Sequence, residues 1–135
     1  MNRLDKRTEN RMIEAAKAAS RQAYCRYSKF RVGAAVLSSE GKIFSGCNVE
    51  NASYGLTICA ERNAVFQLAA AGQRRIAAVV IYTPTAKPTA PCGACRQVIN
   101  EFGPRAEILS VCRGKQTLRA RLDELLPEAF GPKNL

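Results

Sequence analysis

The segment that decides the fold is residues 76–112, which read IAAVVIYTPTAKPTAPCGACRQVINEFGPRAEILSVC. It begins with a nearly continuous apolar run at 76–82, the pattern of a strand buried on both faces. A proline-rich loop interrupts that run, and residues 92–103 then have the composition of a helix. A second β-rich run follows at 106–112. This strand, helix, strand order predicts parallel strands joined by a crossover helix.

The residues upstream of this segment predict a helix followed by a hairpin. Apolar residues recur at near-helical spacing from Leu4 to about Tyr24, which is typical of an amphipathic helix. Two β-rich runs follow at 30–37 and 42–49. The turn residues between them, Ser39-Glu40-Gly41, predict that the two runs pair as antiparallel strands.

Two further helices complete the predicted order. One is expected from about Cys59 to Ala71, with Gly72 as its stop residue, and the other within residues 117–130. The order helix, hairpin, helix, strand, helix, strand, helix belongs to the α/β class. It predicts a mixed sheet between two layers of helices, a three-layer α-β-α sandwich, in a single domain over residues 1–135.

The length and composition of the chain favour a cytosolic protein with one hydrophobic core. The chain has 135 residues, 47% of them hydrophobic, which suffices for one core and not for two ordinary domains. It has no run of about 18 apolar residues that could span a bilayer, and its N-terminus has no apolar core of the signal-peptide kind. We therefore expect a cytoplasmic location and no membrane partner.

The cysteine and histidine counts restrict the chemistry. Six cysteines in a reducing compartment are metal ligands, catalytic groups or small buried residues more often than disulfides. The chain has no histidine, so a histidine base is excluded. Any zinc site must use thiolates and carboxylates.

The charge of the chain raises nucleic acid as a partner without favouring it. Twenty-one Lys and Arg against eleven Asp and Glu give a net charge of +10. The basic residues are scattered, with no dense block and no interleaved aromatic residues, which is more typical of a solvated basic surface. Nucleic acid stays open as an alternative partner on charge alone.

Three cysteines are placed to share one metal ion. Cys59 on one side, and Cys92 with Cys95 on the other, fall where a loop or strand meets a predicted helix start. The C-x-x-C spacing suits capture of one ion by two thiolates, and a helix N-terminus lowers the pKa of a thiol. Three protein ligands leave a tetrahedral zinc with one open position, the pattern of a catalytic site.

The alternative is a structural zinc site with four cysteine ligands. Its fourth ligand would have to be Cys25, Cys47 or Cys112, none of which has a matching C-x-x-C partner. These three cysteines are more typical of small buried apolar residues, Cys47 and Cys112 being on predicted strands.

The two charged residues after Cys59 favour the catalytic alternative. Glu61 is placed to miss the metal and to reach a water molecule on it, where a carboxylate can accept and return protons. On its own, Glu61 would be an ordinary first-turn glutamate that stabilises the helix dipole. Three thiolates with a divalent zinc sum to minus one, and hydrogen bonds from the Arg62 guanidinium to the sulfurs would offset that charge.

Five runs taken in order resemble the small zinc-dependent cytidine deaminases, the homo-oligomeric branch that uses three cysteines. They cover nearly the whole chain and are FRVGAAV, GCNVENASYG, TICAERNAV, PCGACRQV and ELLPEAF. The resemblance implies a five-stranded mixed sheet, one Zn²⁺ per chain and a homotetramer with shared active sites. It implies hydrolytic deamination of free cytidine and deoxycytidine to uridine and deoxyuridine, with release of ammonia, in pyrimidine salvage.

The resemblance also implies roles for single residues. Around the metal, the implied zinc ligands are Cys59, Cys92 and Cys95, the proton shuttle is Glu61, and the groups beside the thiolates are Arg62 and Gln97. Around the substrate, Phe30 would stack on the pyrimidine, Asn48 and Glu50 would hold the ribose hydroxyls, and the Ala60 backbone would contact the base. Tyr54 would lie in the substrate loop, and Phe130 would reach a neighbouring subunit's site.

Glu50 favours a free nucleoside as the substrate. A carboxylate that accepts a hydrogen bond from a ribose 3′-hydroxyl would lie against a 3′-phosphate in any polynucleotide, and two like charges in contact are strongly unfavourable. A deaminase of a cytosine-containing antibiotic such as blasticidin S shares the PCGACRQ type of motif. The NVENASYG run favours the ribonucleoside enzyme, because its Asn and Glu need a sugar to bind.

Overall fold

The computed structural model describes residues 4–135 as five strands and four α-helices. The strands are β1 (Gly33–Ser38), β2 (Ile43–Cys47), β3 (Ile76–Tyr82), β4 (Glu107–Val111) and β5 (Leu118–Arg121). The helices are α1 (Lys6–Ser20), α2 (Ala60–Ala70), α3 (Gly93–Phe102) and α4 (Leu122–Leu125). Short 3-10 helices span Tyr54–Leu56 and Pro132–Asn134.

The strands form one mixed sheet in the order β2-β1-β3-β4-β5. β3 and β4 are parallel and are connected through α3, as the 76–112 segment predicts. The other neighbours are antiparallel, including the predicted β1–β2 hairpin. The prediction of a mixed sheet with a crossover helix is confirmed.

Helices cover both faces of the sheet, which confirms the three-layer α-β-α sandwich. On one face, α1 packs its Met12 and Ala16 against a cluster that includes Leu37, Val80 and Leu109. On the other face, α2, α3 and α4 bury the second cluster, which includes Leu68, Ile99, Leu122, Val36, Val79 and Ile108. Alternate residues of β1, β3 and β4 thus serve the two cores in turn. Within residues 4–135, none of the helices has the length and apolar character needed to cross a bilayer.

Two glycines set how closely the helices approach the sheet. A Cβ on Gly33 of β1 would lie 1.8 Å from the carbonyl oxygen of Ala16 in α1. A Cβ on Gly46 of β2 would lie 2.6 Å from the backbone nitrogen of Ala64 in α2. The helix backbones therefore rest directly on the strands at these two positions, where any side chain would push the layers apart.

The first helix is shorter than predicted. Asp5 caps it by accepting a hydrogen bond from the Thr8 N–H at 2.9 Å, and it ends at Ser20 rather than near Tyr24. Beyond this end, the Arg31 guanidinium donates a hydrogen bond to the Ala23 carbonyl at 3.1 Å. Tyr24 instead bridges to Val49, because its backbone bonds the segment that follows β2. The helix therefore ends before its apolar sequence pattern does, because tertiary contacts hold the residues that follow Ser20.

The prediction of a helix within residues 117–130 is mostly wrong. Residues 118–121 form β5, and only α4 is helical. β5 pairs antiparallel with β4, with Arg119 opposite Leu109. The free edge of β4 supplies backbone hydrogen-bonding partners that the helix-favouring sequence did not indicate. The fifth strand, which the resemblance implied, is thus formed by residues that local pattern assigned to a helix.

Arg119 joins β5 to two other elements through carboxylates. Its Nη2 donates to Glu9 of α1 at 2.8 Å, and its Nη1 donates to Glu107 of β4. Glu107 also accepts the backbone N–H of Leu4 at 3.2 Å. Burial acts to raise the pKa of Glu9, but hydrogen bonds and positive charge from Arg119 and Lys6 outweigh it and lower that pKa below its ordinary value.

We predict that Glu9→Gln lowers the free energy of unfolding at pH 7 by about 1–3 kcal/mol, because Arg119 loses a partly buried charged partner. A group with a lowered folded-state pKa contributes stability above its unfolded pKa, and that contribution disappears as the pH falls through the folded pKa. The difference between wild type and variant should therefore shrink in acid, below the ordinary value of 4.5. Urea unfolding at several pH values measures it.

The matched control is Glu14→Gln on the same helix. Glu14 is 77% exposed and lies 4.0 Å from Lys17. Its substitution should change stability by less than about 0.5 kcal/mol. Equal effects of the two substitutions would contradict a specific role for the Glu9–Arg119 pair.

Candidate active site and metal centre

The register of the sheet brings two helix starts to one edge. Gly33, the first residue of β1, pairs with Cys47 on one side and with Tyr82 on the other. The carboxyl ends of β2 and β3 therefore lie level with each other. The loops that leave them lead to α2 and α3, so the N-termini of both helices face one site, in accord with the rule for ligand sites in such sheets.

The three predicted cysteines meet at these helix starts. Cys59 and Cys92 are the N-cap residues of α2 and α3, and Cys95 lies in the first turn of α3. Their sulfur atoms all lie within 4.8 Å of one another, with 3.8 Å between those of Cys59 and Cys92. Two sulfurs bound to one tetrahedral zinc at about 2.3 Å each are about 3.8 Å apart. The spacing of Cys59 and Cys92 thus matches two ligands of one zinc ion, and Cys95 is close enough to supply the third.

The environment of the cluster favours thiolates. A hydrogen bond from Cys95 is the main reason that the pKa of Cys59 is lowered, to about 5, and Arg62 and Cys92 lower it further. The same hydrogen bond, together with burial, raises the pKa of Cys95, because that thiol acts as the donor. The backbone N–H of Cys95 also donates to the Cys92 sulfur at 3.5 Å. Cys59 is therefore the thiol of the cluster whose surroundings most favour the thiolate form.

Arg62 lies against this cluster. Its Nη2 is 3.5 Å from the Cys59 sulfur and 3.5 Å from the Thr57 carbonyl oxygen. Its buried Nε has no hydrogen-bond partner within residues 4–135. The guanidinium thus places positive charge beside the thiolate, the arrangement predicted from the sequence.

Glu61 is a buried carboxyl group in the first turn of α2. Its exposed fraction is 5%, and burial is the main reason that its pKa is raised to about 7. Negative charge on Cys59 acts in the same direction, while Arg62 opposes it. A carboxyl group with a pKa near 7 can both accept and release a proton at neutral pH, as general acid–base catalysis requires.

A cavity of about 210 Å³ opens in front of these groups. It is lined by Ser28, Phe30, Val32, Asn48, Glu50, Thr57, Cys59, Ala60, Glu61, Ile81, Thr89, Ala90 and Cys92. Most residues predicted to hold the metal or the substrate therefore surround one space. Cys95 is buried behind it.

Asn48 and Glu50 are held in place by the segment that carries Phe30. The Asn48 side chain accepts from the Val32 N–H at 2.9 Å and donates to the Phe30 carbonyl at 2.7 Å. Glu50 accepts from the Tyr27 N–H at 2.9 Å and from the Ser28 backbone and hydroxyl. The Ser28 hydrogen bond is the main reason that the pKa of Glu50 is lowered, so this carboxylate is ionised at neutral pH.

Besides Cys95 and Arg62, which lie behind it, three predicted residues are outside this cavity. Tyr54 is 75% exposed and lines an adjoining cavity of about 390 Å³ that shares Ser28, Glu50 and Thr57 with the first. Phe130 is 60% exposed and does not line the cavity of its own chain. The side-chain amide of Gln97 donates to the Phe130 carbonyl at 2.9 Å, so its predicted place beside the thiolates stays a prediction.

The other three cysteines do not join the cluster. Cys25 and Cys112 are buried as predicted, and Cys47 at the end of β2 is only half-buried. Cys112 lies one residue past β4, with its sulfur 3.5 Å from the Ala86 carbonyl oxygen. The alternative with a fourth cysteine ligand therefore lacks a candidate.

Sequence reasoning missed several residues that line the cavity. Ser28, Ile81, Thr89 and Ala90 are all at its surface. Ser28 lies two residues before Phe30, and Thr89 and Ala90 lie just before Cys92. Their position directly beside the motif residues was the available signal, since residues next to a ligand in a loop share its side of the site.

Residues 6–111 match the family described as the cytidine and deoxycytidylate deaminase zinc-binding region. The chain belongs to the cytidine deaminase family. It is 44% identical over 129 residues to a cytidine deaminase of Sporosarcina psychrophila, a match that covers 93% of each chain. A cytidine deaminase of Mycobacterium tuberculosis is 42% identical, over 89% of this chain and 87% of the relative.

The fold agrees with this membership. The crystal structure of a cytidine deaminase from Burkholderia pseudomallei superimposes with a TM-score of 0.85 at 50% identity, covering 90% of this chain and 98% of that one. The family is one of zinc-dependent hydrolases, and the three-cysteine cluster of this chain is able to hold one such ion.

We predict about one zinc per chain in the purified protein and its loss on substitution of a ligand. Cys92→Ala removes one of three thiolates and should reduce zinc content to well below half, because two ligands hold the ion poorly. Metal analysis after gel filtration measures it. Cys112→Ala, which removes a buried thiol outside the cluster, is the control and should keep its zinc. Equal zinc in both variants would contradict the assignment.

Proposed function

We propose that this protein deaminates free cytidine and deoxycytidine hydrolytically, forming uridine and deoxyuridine with release of ammonia. The observation that carries the proposal is the buried carboxyl of Glu61, which lines one small cavity together with Cys59 and Cys92 of the three-thiol cluster. A zinc site with a purely structural role does not require a buried carboxyl group beside its ligands. Relatives named cytidine deaminase at 42–44% identity support the choice of base.

In this proposal Cys59, Cys92 and Cys95 hold the metal, and Arg62 offsets the negative charge of the thiolates. A zinc ion bound there supplies a Lewis acid that lowers the pKa of water from about 15.7 toward about 7. The lowered pKa of Cys59 supports its part, because a ligand must be a thiolate to bind.

Glu61 carries the protons of the reaction. It accepts one proton from the attacking water and delivers it to the ring nitrogen next to the amino-bearing carbon. It then transfers the second proton of that water to the amino group, which leaves as ammonia. The two protons of one water thus end on the ring nitrogen and on ammonia, and its oxygen becomes the new carbonyl.

The remaining cavity residues bind and orient the nucleoside. The half-exposed Phe30 offers a ring for stacking on the base, and the Ala60 backbone contacts its edge. Asn48 and Glu50 take the ribose hydroxyls. Both can make a further hydrogen bond, since the Asn48 amide keeps a second N–H and the Oε2 of Glu50 accepts only the Ser28 hydroxyl.

An ionised Glu50 also selects for free nucleosides. A phosphate on the 3′-oxygen would place a second negative charge against this carboxylate. The net charge of +10 could attract a polynucleotide to the surface, but the cavity would not accept its backbone. We therefore infer a small-molecule substrate and not RNA or DNA.

We further infer a homotetramer with shared active sites. Tyr54 and Phe130 are large apolar side chains left exposed at 75% and 60%. Coverage by neighbouring copies would bury them and bring Phe130 to another chain's cavity, with the bond from Gln97 to its carbonyl holding the segment in place. The enzyme would act as one domain in the cytoplasm, where thiolate ligands stay reduced, and serve pyrimidine salvage.

We predict that Glu61→Gln keeps its zinc and loses about 10²- to 10⁴-fold in kcat, because the amide cannot transfer protons. Metal analysis and ammonia release measure the two effects on the same sample. Glu40→Gln, an exposed carboxylate in the hairpin turn, is the matched control and should keep wild-type kcat. Near-normal turnover in Glu61→Gln would remove this residue from the mechanism.

A substrate panel tests the preference for free nucleosides. Ammonia release should be efficient with cytidine and deoxycytidine, and kcat/KM should fall at least about 100-fold for cytidine 3′-phosphate, because of like-charge contact with Glu50. A cytosine-containing oligonucleotide and blasticidin S should be poor substrates, and CMP provides the comparison for a 5′-phosphate. Preference for the oligonucleotide or for the antibiotic would overturn the proposal.

A further inference from the structure

The side chain of Arg96 connects two distant parts of the chain. Arg96 follows Cys95 in α3 and is half-buried. Its Nε donates to the carbonyl of Pro91 at 2.8 Å, and its Nη1 donates to the carbonyl of Leu125 at 2.9 Å. One guanidinium thus holds the loop in front of α3 and the end of α4 at the same time.

The first of these bonds acts on the backbone of Cys92. The Pro91 carbonyl belongs to the peptide bond that leads into Cys92, and Pro91 is buried. The Cys92 carbonyl in turn accepts the backbone N–H of Arg96 at 3.0 Å. The Pro91 and Cys92 carbonyls are therefore both bonded by one residue, which holds the backbone from which the Cys92 side chain projects.

The second bond acts on the C-terminal segment, residues 122–131. Two other side chains of α3 also hold this segment, since Gln97 and Asn100 donate to the Phe130 carbonyl at 2.9 and 3.3 Å. Asn100 is buried, with an exposed fraction of 7%. The helix that supplies two of the three thiols is therefore also the support of the segment that ends at Phe130.

Only an arginine can make both bonds. Its planar guanidinium presents N–H groups in fixed, diverging directions, whereas a lysine offers one ammonium at the end of a flexible chain. We propose that Arg96 is a positioning residue that couples the C-terminal segment to the metal ligand Cys92, an inference that rests on the proposed zinc site. Loosening either end would then loosen the other.

The test compares Arg96→Lys with Arg74→Lys. The Nη1 of Arg74 also donates to two carbonyls, those of Ala69 and Gln73 at 2.8 Å each, but these lie near the C-terminal end of α2 and just past it. The two substitutions keep charge and remove the same kind of paired hydrogen bond. Circular dichroism and thermal unfolding establish that each variant is folded, and Arg96→Gln replaces Arg96→Lys if the latter is not.

Two readouts besides activity are measured. The first is the rate of zinc release to a chromophoric chelator, which we expect to rise about 10-fold in Arg96→Lys, the size of effect typical when a group that orients a metal ligand is lost. The second is amide hydrogen exchange in peptides covering residues 83–92 and 122–131. Both peptides should exchange faster in Arg96→Lys, and Arg74→Lys should match wild type in both readouts.

The outcomes separate the coupling from the zinc site itself. A wild-type protein that holds no zinc would refute the proposed metal site. Zinc-loaded wild type and Arg96→Lys that release the ion at the same rate would refute the coupling alone. Faster exchange confined to one of the two peptides would also refute it, because Arg96 would then hold only that segment.

Discussion

The site depends on one constraint, the level ends of two strands on either side of β1. Because Gly33 pairs with both Cys47 and Tyr82, the chain leaves β2 and β3 at the same height. The two helices that follow begin side by side, and the sulfurs at their N-caps lie 3.8 Å apart. A shift of either strand by two residues would move its helix start by about 7 Å, more than a zinc site tolerates.

The start of α2 places two groups with opposite protonation requirements two residues apart. Cys59 must lose its proton to bind metal, while Glu61 must be able to hold one. Burial of Glu61 raises its pKa, whereas hydrogen bonds to sulfur lower that of Cys59, so the two neighbours are driven in opposite directions by different causes. The positive charge of Arg62 acts to lower the pKa of both groups, which helps Cys59 to ionise and opposes the effect of burial on Glu61. The buried position of the turn keeps these effects from being screened by water.

Support for the site comes from side chains that form hydrogen bonds with the backbone of its loops. Asn48 and Glu50 accept backbone N–H groups on either side of Phe30, while Arg96 donates to the Pro91 carbonyl in the loop that ends at Cys92. Such side-chain bonds to carbonyl and N–H groups are how loops acquire the precision of regular elements. The loops of this site are therefore held in place by polar side chains that bond their backbone.

The sequence by itself determined the order of the central elements and the chemistry of the metal site. A continuous apolar run indicates a strand buried on both faces wherever it occurs, and the C-x-x-C spacing with Cys59 indicates thiolate ligands without reference to a fold. Only the tertiary structure decided that residues 118–121 form β5, because the open edge of β4 outweighs their helical preference. It also decided where α1 ends and which residues complete the cavity wall, since Ser28 and Thr89 lie there through contacts between segments far apart in the chain.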